Sequence, residues 1–571
     1  MVSSKFDWNY LYIGLLAGFL FLPFLGGVHL FDWDEINFAE CSREMLLRGE
    51  YLRPQINFMP FWEKPPLFIW LQSASMHLFG VNEYAARFPN AICGISTLLV
   101  IYHIGKKLYN TAFGWLWVMA YGGSILPYLY FKSGIIDPFF NLFIFLSLVF
   151  LMDSEKNRTP QYKSLIIGGV FSGLAIMTKG PVGLLLVGLT WFFKLLIFKE
   201  LTLRSWKNII IFSFVALLVT SLWFGIETLK NGTWFVQTFV VYNIRLAQTE
   251  DAGHGGFVGY HFIVLLFGCF PASVFALRSL YLRQNFKTEN TNFTRWMKVL
   301  FWVVLIIFSG VQSKIVHYSS MCYLPLTFLS ALTLKALIAE GKIPNYIKIS
   351  ILSIGLFIGL LIAALPFVGQ NIKILKPLFQ KDIFALKNLD AAIVWHQWES
   401  IVGFGFVIAL IFVYFKFKNR FILRGPISDF GLGISAEQPP KSEIRNPKSP
   451  ILRGSILLFV ATAVFLNGIL YVFINKIEGI SQNAALEFYE SKITEDCYIQ
   501  THGFKSYAHL FYSQKRVPTN PNHSDDAWLK YGNVDKPTYF VTKYSAKNEL
   551  DTVPTLRFLY DKNGFVFYKR R

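Results

Sequence analysis

Residues 347–368 read IKISILSIGLFIGLLIAALPFV, twenty-two positions whose only charge is Lys348. A helix needs about 20 mainly apolar residues to cross the ~30 Å of bilayer hydrocarbon, so this run is expected to span a membrane. Working outward, comparable runs lie at about 11–30, 88–105, 112–131, 138–152, 164–178, 180–198, 209–227, 258–282, 299–312, 318–338, 400–416 and 455–475. The fold class is therefore mainly α and polytopic, with about thirteen transmembrane helices. The composition agrees: 54% of the 571 residues are hydrophobic and only 16% charged, where soluble domains carry about a quarter. Residues 1–10 lead into the first run without a small-residue cleavage site, so that run is expected to be a retained span.

A net charge of +19 would suit a nucleic-acid partner if it formed one patch, but it is spread over short loops, which argues against nucleic acid. Alternate loops carry Lys106/Lys107, Lys156/Arg158/Lys163, Lys199/Arg204/Lys207, Arg283/Lys287/Arg295/Lys298, Lys335/Lys342/Lys348, and eight basic residues from Lys416 to Arg453. Short cytoplasmic loops concentrate Lys and Arg, so these are assigned to the cytoplasm. Segments 31–87, 228–257, 369–399 and the C-terminal tail then face outward, consistent with an odd number of spans. The five cysteines have no paired spacing and read as small hydrophobes.

Two domains are expected. Residues 1–475 form the transmembrane part, interrupted by a Pro-, Ser- and Gly-rich cytoplasmic insert at about 418–453 that is expected to be disordered. Residues 476–571 form a small outer α/β domain. Its strands are expected at Tyr498–Thr501, Thr538–Thr542, Leu556–Tyr560 and Phe565–Tyr568, the last two joined by a turn containing Asn563-Gly564.

The chemistry is expected where ionisable groups press against span ends, since a charge near hydrocarbon is costly. After the first span comes Phe31-Asp32-Trp33-Asp34-Glu35, then Phe38-Ala39-Glu40-Cys41-Ser42-Arg43-Glu44. Helical spacing of apolar and charged residues predicts an interfacial amphipathic helix, on which Glu44 and Arg48 read as solvated surface. Asp34, beside Glu35 at the span exit, reads as functional. Glu63-Lys64 is mounted on Pro65-Pro66, a rigid support. Further candidates are Asp137 before Pro138, Lys179 before Gly180-Pro181, His254 before Gly255-Gly256, and Lys314, His317 and Tyr318. All lie on the outward side, although the sides were assigned from loop charge alone. Cations stabilise a departing phosphate and a carboxylate can deprotonate an acceptor hydroxyl. Sugar transfer from a lipid-linked phosphate uses both, and the lipid tail delivers its headgroup to this depth.

These blocks resemble the bacterial membrane glycosyltransferases related to the aminoarabinose transferase of lipid A and to protein O-mannosyltransferases. The resemblance runs through Asp34-Glu35, Phe38-Ala39-Glu40, Arg43-Glu44-Met45, Glu63-Lys64-Pro65-Pro66, Leu78–Glu83 with Ala86-Arg87, Thr178–Pro181, His254–Gly256 and Ser313–Tyr318, covering about residues 10–340. It implies a GT-C architecture in a bacterial inner membrane, an active site facing the periplasm and an undecaprenyl-phosphate-sugar donor. By resemblance, Asp34 and Asp137 are the catalytic acids, while Lys64, Lys179 and Tyr318, joined by Lys314, hold donor or carrier phosphate. Glu35, His254 and His317 are further site candidates, and Glu63 is placed to bind a divalent metal of unspecified identity. The sequence departs from the aminoarabinose enzymes at Asn37, where they tend to have Arg, and at Ile315-Val316 in place of Leu-Pro. The acceptor is left open among lipid, protein and glycan. A transporter or flippase of lipid-linked sugars is the alternative; it predicts ionisable groups at mid-span, reachable from both faces. A polymer ligase or oligosaccharide transferase would share the same lipid-phosphate chemistry.

Overall fold

The computed structural model describes residues 7–156, 161–249, 255–281, 291–418 and 449–571. Residues 419–448 of the expected insert, and His254, lie outside these. Apart from a few terminal residues the predicted spans fall on helix, except that the first, expected over 11–30, is helical only in Trp8–Phe21, so that residues 22–30, His29 among them, lie beyond the helix. Two are divided: 112–131 into Thr111–Gly122 and Ile125–Tyr130, and 258–282 into Tyr260–Gly268 and Ala272–Tyr281, the latter broken at Pro271. Among the described residues, eight helices are long and apolar enough to cross a membrane. Three more, Trp8–Phe21, Leu67–Phe79 and Val182–Ile197, are apolar but shorter.

Helix contacts rest on small residues, which let backbones approach where lipid supplies no hydrophobic drive. Gly169 and Gly173 of the Tyr162–Lys179 helix face Phe212–Val219 of the Leu203–Asn231 helix, where a Cβ would stand 2.7–2.9 Å from the nearest atoms. Gly359 of the Asn345–Gln370 helix meets Gly403 of the Ile401–Lys418 helix in the same way.

The C-terminal domain is a four-stranded sheet. Tyr498–His502 runs parallel to Thr538–Lys543, followed by antiparallel Phe565–Arg570 and then Leu556–Lys562. All four strands match their expected positions. Lys562 pairs with Phe565 across Asn563 (φ 45°) and Gly564 (φ 81°), a two-residue turn with both residues left-handed. The Asn483–Glu490 helix covers one face, with the Phe488 ring 4.5 Å from that of Phe567.

Segments assigned outward from charge pack on one another. Arg43 donates to the Lys515 carbonyl (2.9 Å), Phe384 meets Phe565 at 5.1 Å between ring centroids, and Arg53 pairs with Glu227 at 3.1 Å. The first loop's helix, Asp34–Arg48, departs from expectation. Residues Glu35 to Met45 are all buried, pressed between the Leu67–Phe79 helix and the C-terminal domain. Glu44, read as solvated, is only 1% exposed, and one of its carboxylate oxygens accepts from the Phe58 N–H at 2.8 Å. Covering by a domain more than 400 residues downstream removed its solvent. Arg48 is exposed, as expected.

Candidate functional site

Two acids begin helices. Asp34 is the first residue of the Asp34–Arg48 helix and Asp137 the first of Asp137–Ser154, where Pro138 fits because the first turn needs no N–H donor. Negative charge is favoured at a helix N-terminus. Lys179 closes the Tyr162–Lys179 helix, where a cation complements the opposite dipole end. Gly180 follows at φ 100°, and a Cβ there would stand 2.5 Å from the Phe239 ring, so the sharp exit requires glycine.

These ends meet at a cavity of about 1740 Å³. Lys179 Nζ donates to Asp137 Oδ1 at 2.6 Å and lies 5.5 Å from the centre of the Tyr318 ring. His317 Nε2 stands 3.6 Å from Asp34 Oδ2. Lys64 Nζ is 3.5 Å from the Tyr242 hydroxyl, which donates to Glu63 at 3.3 Å; Lys505 of the C-terminal domain reaches Glu63 at 3.2 Å and lies over the Trp33 ring. Burial draws the Lys64 ammonium below the ordinary lysine value, against the pull of Asp34 and Glu63. An ammonium so placed is stabilised by an incoming anion. Asp32 opens on the same cavity, where desolvation pushes its carboxyl up to about 6 despite Ser506 and Lys543.

Asp34, Asp137, Lys64, Lys179, His317, Tyr318 and Glu63 thus line one cavity, as does Glu35. Both Glu35 oxygens are engaged: Arg87 binds them at 3.0 and 2.8 Å, and the Phe31 and Gly134 N–H groups donate as well. Lys314 is not brought in. Its ammonium turns back to donate to the carbonyls of Phe308, Ser309 and Val311 at the end of the Thr291–Gly310 helix. Those carbonyls have no partner within the helix, and a lysine within reach caps them. Among the described residues no group of three or more His, Cys, Asp or Glu gathers. Since Glu63 is also occupied by Tyr242 and Lys505, the described side chains do not form a metal ligand set.

Several lining residues escaped the sequence reading: Asn141, Tyr242, Arg245, Ser320, Lys505 and Lys543. Arg245 carried the usable signal, an ionisable group in an outward loop. Lys505 and Lys543 carried none, being two lysines in a polar domain. The remaining wall is mostly apolar, with Val182, Leu185, Leu189, Ile307, Leu470 and Ile474 on three apolar helices, and also carries Lys132, Ser133, Asn243 and Asn475.

Residues 63–224 match the family model described as dolichyl-phosphate-mannose-protein mannosyltransferase. The undecaprenyl phosphate-alpha-4-amino-4-deoxy-L-arabinose arabinosyl transferase of Photorhabdus laumondii is 24% identical over 422 residues, 72% of each chain. The transferase of the same name from Pectobacterium carotovorum is 26% identical over 326 residues, 56% of this chain and 57% of that one, so this match spans little over half the relative's length. The crystal structure of ArnT from Cupriavidus metallidurans bound to undecaprenyl phosphate superposes with a TM-score of 0.68 at 16% identity, covering 99% of this chain and 98% of that one. A fold that matches end to end, with residues of several motif blocks lining one cavity, identifies the chain as a polytopic membrane protein of GT-C architecture resembling the bacterial aminoarabinose transferases.

Proposed function

We propose that the protein is a membrane glycosyltransferase that moves a sugar from an undecaprenyl-phosphate-type donor to an acceptor at the periplasmic face of the inner membrane. One observation carries the reading: a single cavity is lined both by an acid–cation cluster and by apolar side chains of membrane helices. The apolar wall matches a polyprenyl chain, and Lys64, Lys179 and Tyr318 match its phosphate. The relatives' names specify such a donor.

In the transfer, an acceptor oxygen forms a bond to the anomeric carbon while the bond from that carbon to the phosphate oxygen breaks. The electron pair leaves with the polyprenyl phosphate, whose charge Lys64 and Lys179 stabilise. If the acceptor is a hydroxyl, Asp34 takes its proton, with His317 beside it. An acceptor that is already an anion needs no base, and Asp34 then orients it. Asp137 fixes Lys179 through their 2.6 Å ion pair. Metal at Glu63 is not part of this scheme.

The transporter alternative needs ionisable groups at mid-span open to both faces. The groups found here sit at helix ends that share one cavity, which favours the enzyme. The test is release of carrier phosphate and transfer of label from radiolabelled undecaprenyl-phosphate sugar in membranes holding wild type or Asp34→Asn. A general base contributes about 10²–10⁴-fold, so the variant is expected to lose activity on that order. Equal rates would remove Asp34 from the mechanism, and label crossing the bilayer without transfer would favour the transporter.

A further inference from the structure

One part of the cavity wall has chemistry that the phosphate does not use. Asn141 lies one helical turn after Asp137, on the same face of the Asp137–Ser154 helix. Its amide nitrogen donates to Ser320 Oγ at 2.9 Å, and Ser320 Oγ lies 3.5 Å from Asp137 Oδ1, the oxygen that also accepts from Lys179. Asp137, Asn141 and Ser320 are 1%, 5% and 2% exposed, yet all three line the cavity. Two oxygens of this group, Asp137 Oδ2 and Asn141 Oδ1, are buried without any hydrogen-bond partner among the described residues. Leaving a buried acceptor without a hydrogen bond is unfavourable, so two such oxygens side by side on a cavity wall point to a ligand that supplies what the protein lacks.

Both vacant positions are acceptors. A phosphate offers only acceptor oxygens at neutral pH and would be repelled by Asp137. What fits is a group bearing hydrogen-bond donors, a hydroxyl or an ammonium. We propose that Asn141, held by Ser320, reads a donor-bearing substituent on the transferred sugar, together with Asp137. The sugar ring then lies over the Asp137–Asn141 turn, while its phosphate lies toward Lys64 and Lys179. This rests on the glycosyltransferase reading above.

The test compares binding of bare undecaprenyl phosphate with that of undecaprenyl-phosphate mannose and undecaprenyl-phosphate aminoarabinose, to wild type, Asn141→Ala and Ser320→Ala in detergent. For whichever sugar lipid wild type prefers over the bare carrier, Asn141→Ala is expected to weaken binding about 10–100-fold, a loss typical of one buried hydrogen-bonding group. Ser320→Ala should weaken it less, and both should bind the bare carrier as wild type does. Unchanged sugar-lipid binding overturns the inference. So does equal weakening of carrier and sugar lipid in both variants, or a wild type that binds the carrier but gains nothing from either sugar. Wild type binding none of the three lipids would instead defeat the glycosyltransferase reading itself.

Discussion

Lys64 and Lys179 are both lysines at the cavity but are held differently. Lys179 is fixed by Asp137, while Lys64 is partly desolvated and lies against the Tyr242 ring at 4.9 Å. Lys64 is therefore the cation whose charge a ligand phosphate would complete. Replacing it as Lys64→Met is expected to weaken binding of bare undecaprenyl phosphate by about 10²-fold or more, in line with the loss of a charge-assisted contact in a dry site. Asp34→Asn should bind that lipid normally and fail only in transfer. Isothermal or fluorescence binding measurements on both variants check this, and normal binding by Lys64→Met would move the phosphate elsewhere. Glu35 and Arg87 form a different kind of pair. Arg87 also donates to the carbonyls of Leu25, Val28 and His29, so the pair fastens the first loop to the Glu83–Leu108 helix. Removing one partner of a buried ion pair costs about 3–5 kcal/mol. Arg87→Leu should consequently lower the melting temperature in detergent by several degrees, where Glu63→Gln at the cavity should not.

Among the helices, Asn345–Gln370 and Ile401–Lys418 approach backbone to backbone. A Cβ on Gly403 would stand 2.4 Å from the Ala363 nitrogen and from the Gly359 carbonyl oxygen. Backbone cannot move aside as a flexible side chain can. Gly403→Leu is expected to force these helices apart at a cost of about 1–3 kcal/mol or more, seen as a lowered melting temperature. Gly405→Leu is the control, because that glycine faces open space. Neither site touches the cavity, so loss of stability with intact lipid binding is the expected pattern. The Asp34–Arg48 helix shows the converse lesson. Its pattern predicts an amphipathic surface, but a second layer of protein covers its charged face. There Arg43 pairs with Glu40 at 2.6 Å.

Across the whole molecule, the C-terminal domain is fastened to the transmembrane part by His29. Beyond the Trp8–Phe21 helix, its two ring nitrogens meet Glu478 at 2.5 Å and Glu490 at 3.0 Å. Burial opposes a charged ring, but the two carboxylates outweigh it and raise His29 from 6.5 to about 9. The folded protein holds this proton more tightly than the unfolded chain does. The resulting stabilisation is full below pH 6.5 and is lost as pH rises through 9. Wild type should accordingly show weaker docking of the C-terminal domain at pH 9.5 than at pH 7, read as faster limited proteolysis near residue 482. His29→Ala should be proteolysed at the faster rate at both values. A pH-independent wild type would separate His29 from the docking. Because Lys505 and Lys543 enter the cavity from this domain, undocking should also reduce transfer.

Much of this protein was legible in one dimension. The thirteen helical stretches, the outward and cytoplasmic sides, the four C-terminal strands and the Asn563-Gly564 turn follow from hydropathy, loop charge and turn chemistry, which act over a few residues. The membrane converts such local signals into topology by forbidding unpaired backbone and stranded charge in its interior. Tertiary structure decided which ionisable groups share the cavity. Lys179 and Lys314 both follow apolar runs on the outward side, but one reaches Asp137 while the other folds back onto carbonyls of its own preceding helix. Asn141 sits within an apolar run and Lys505 in a polar domain, and only long-range packing aims both at one space. Side-chain direction depends on the rotation of each helix against its neighbours, set by contacts hundreds of residues apart that no local window contains.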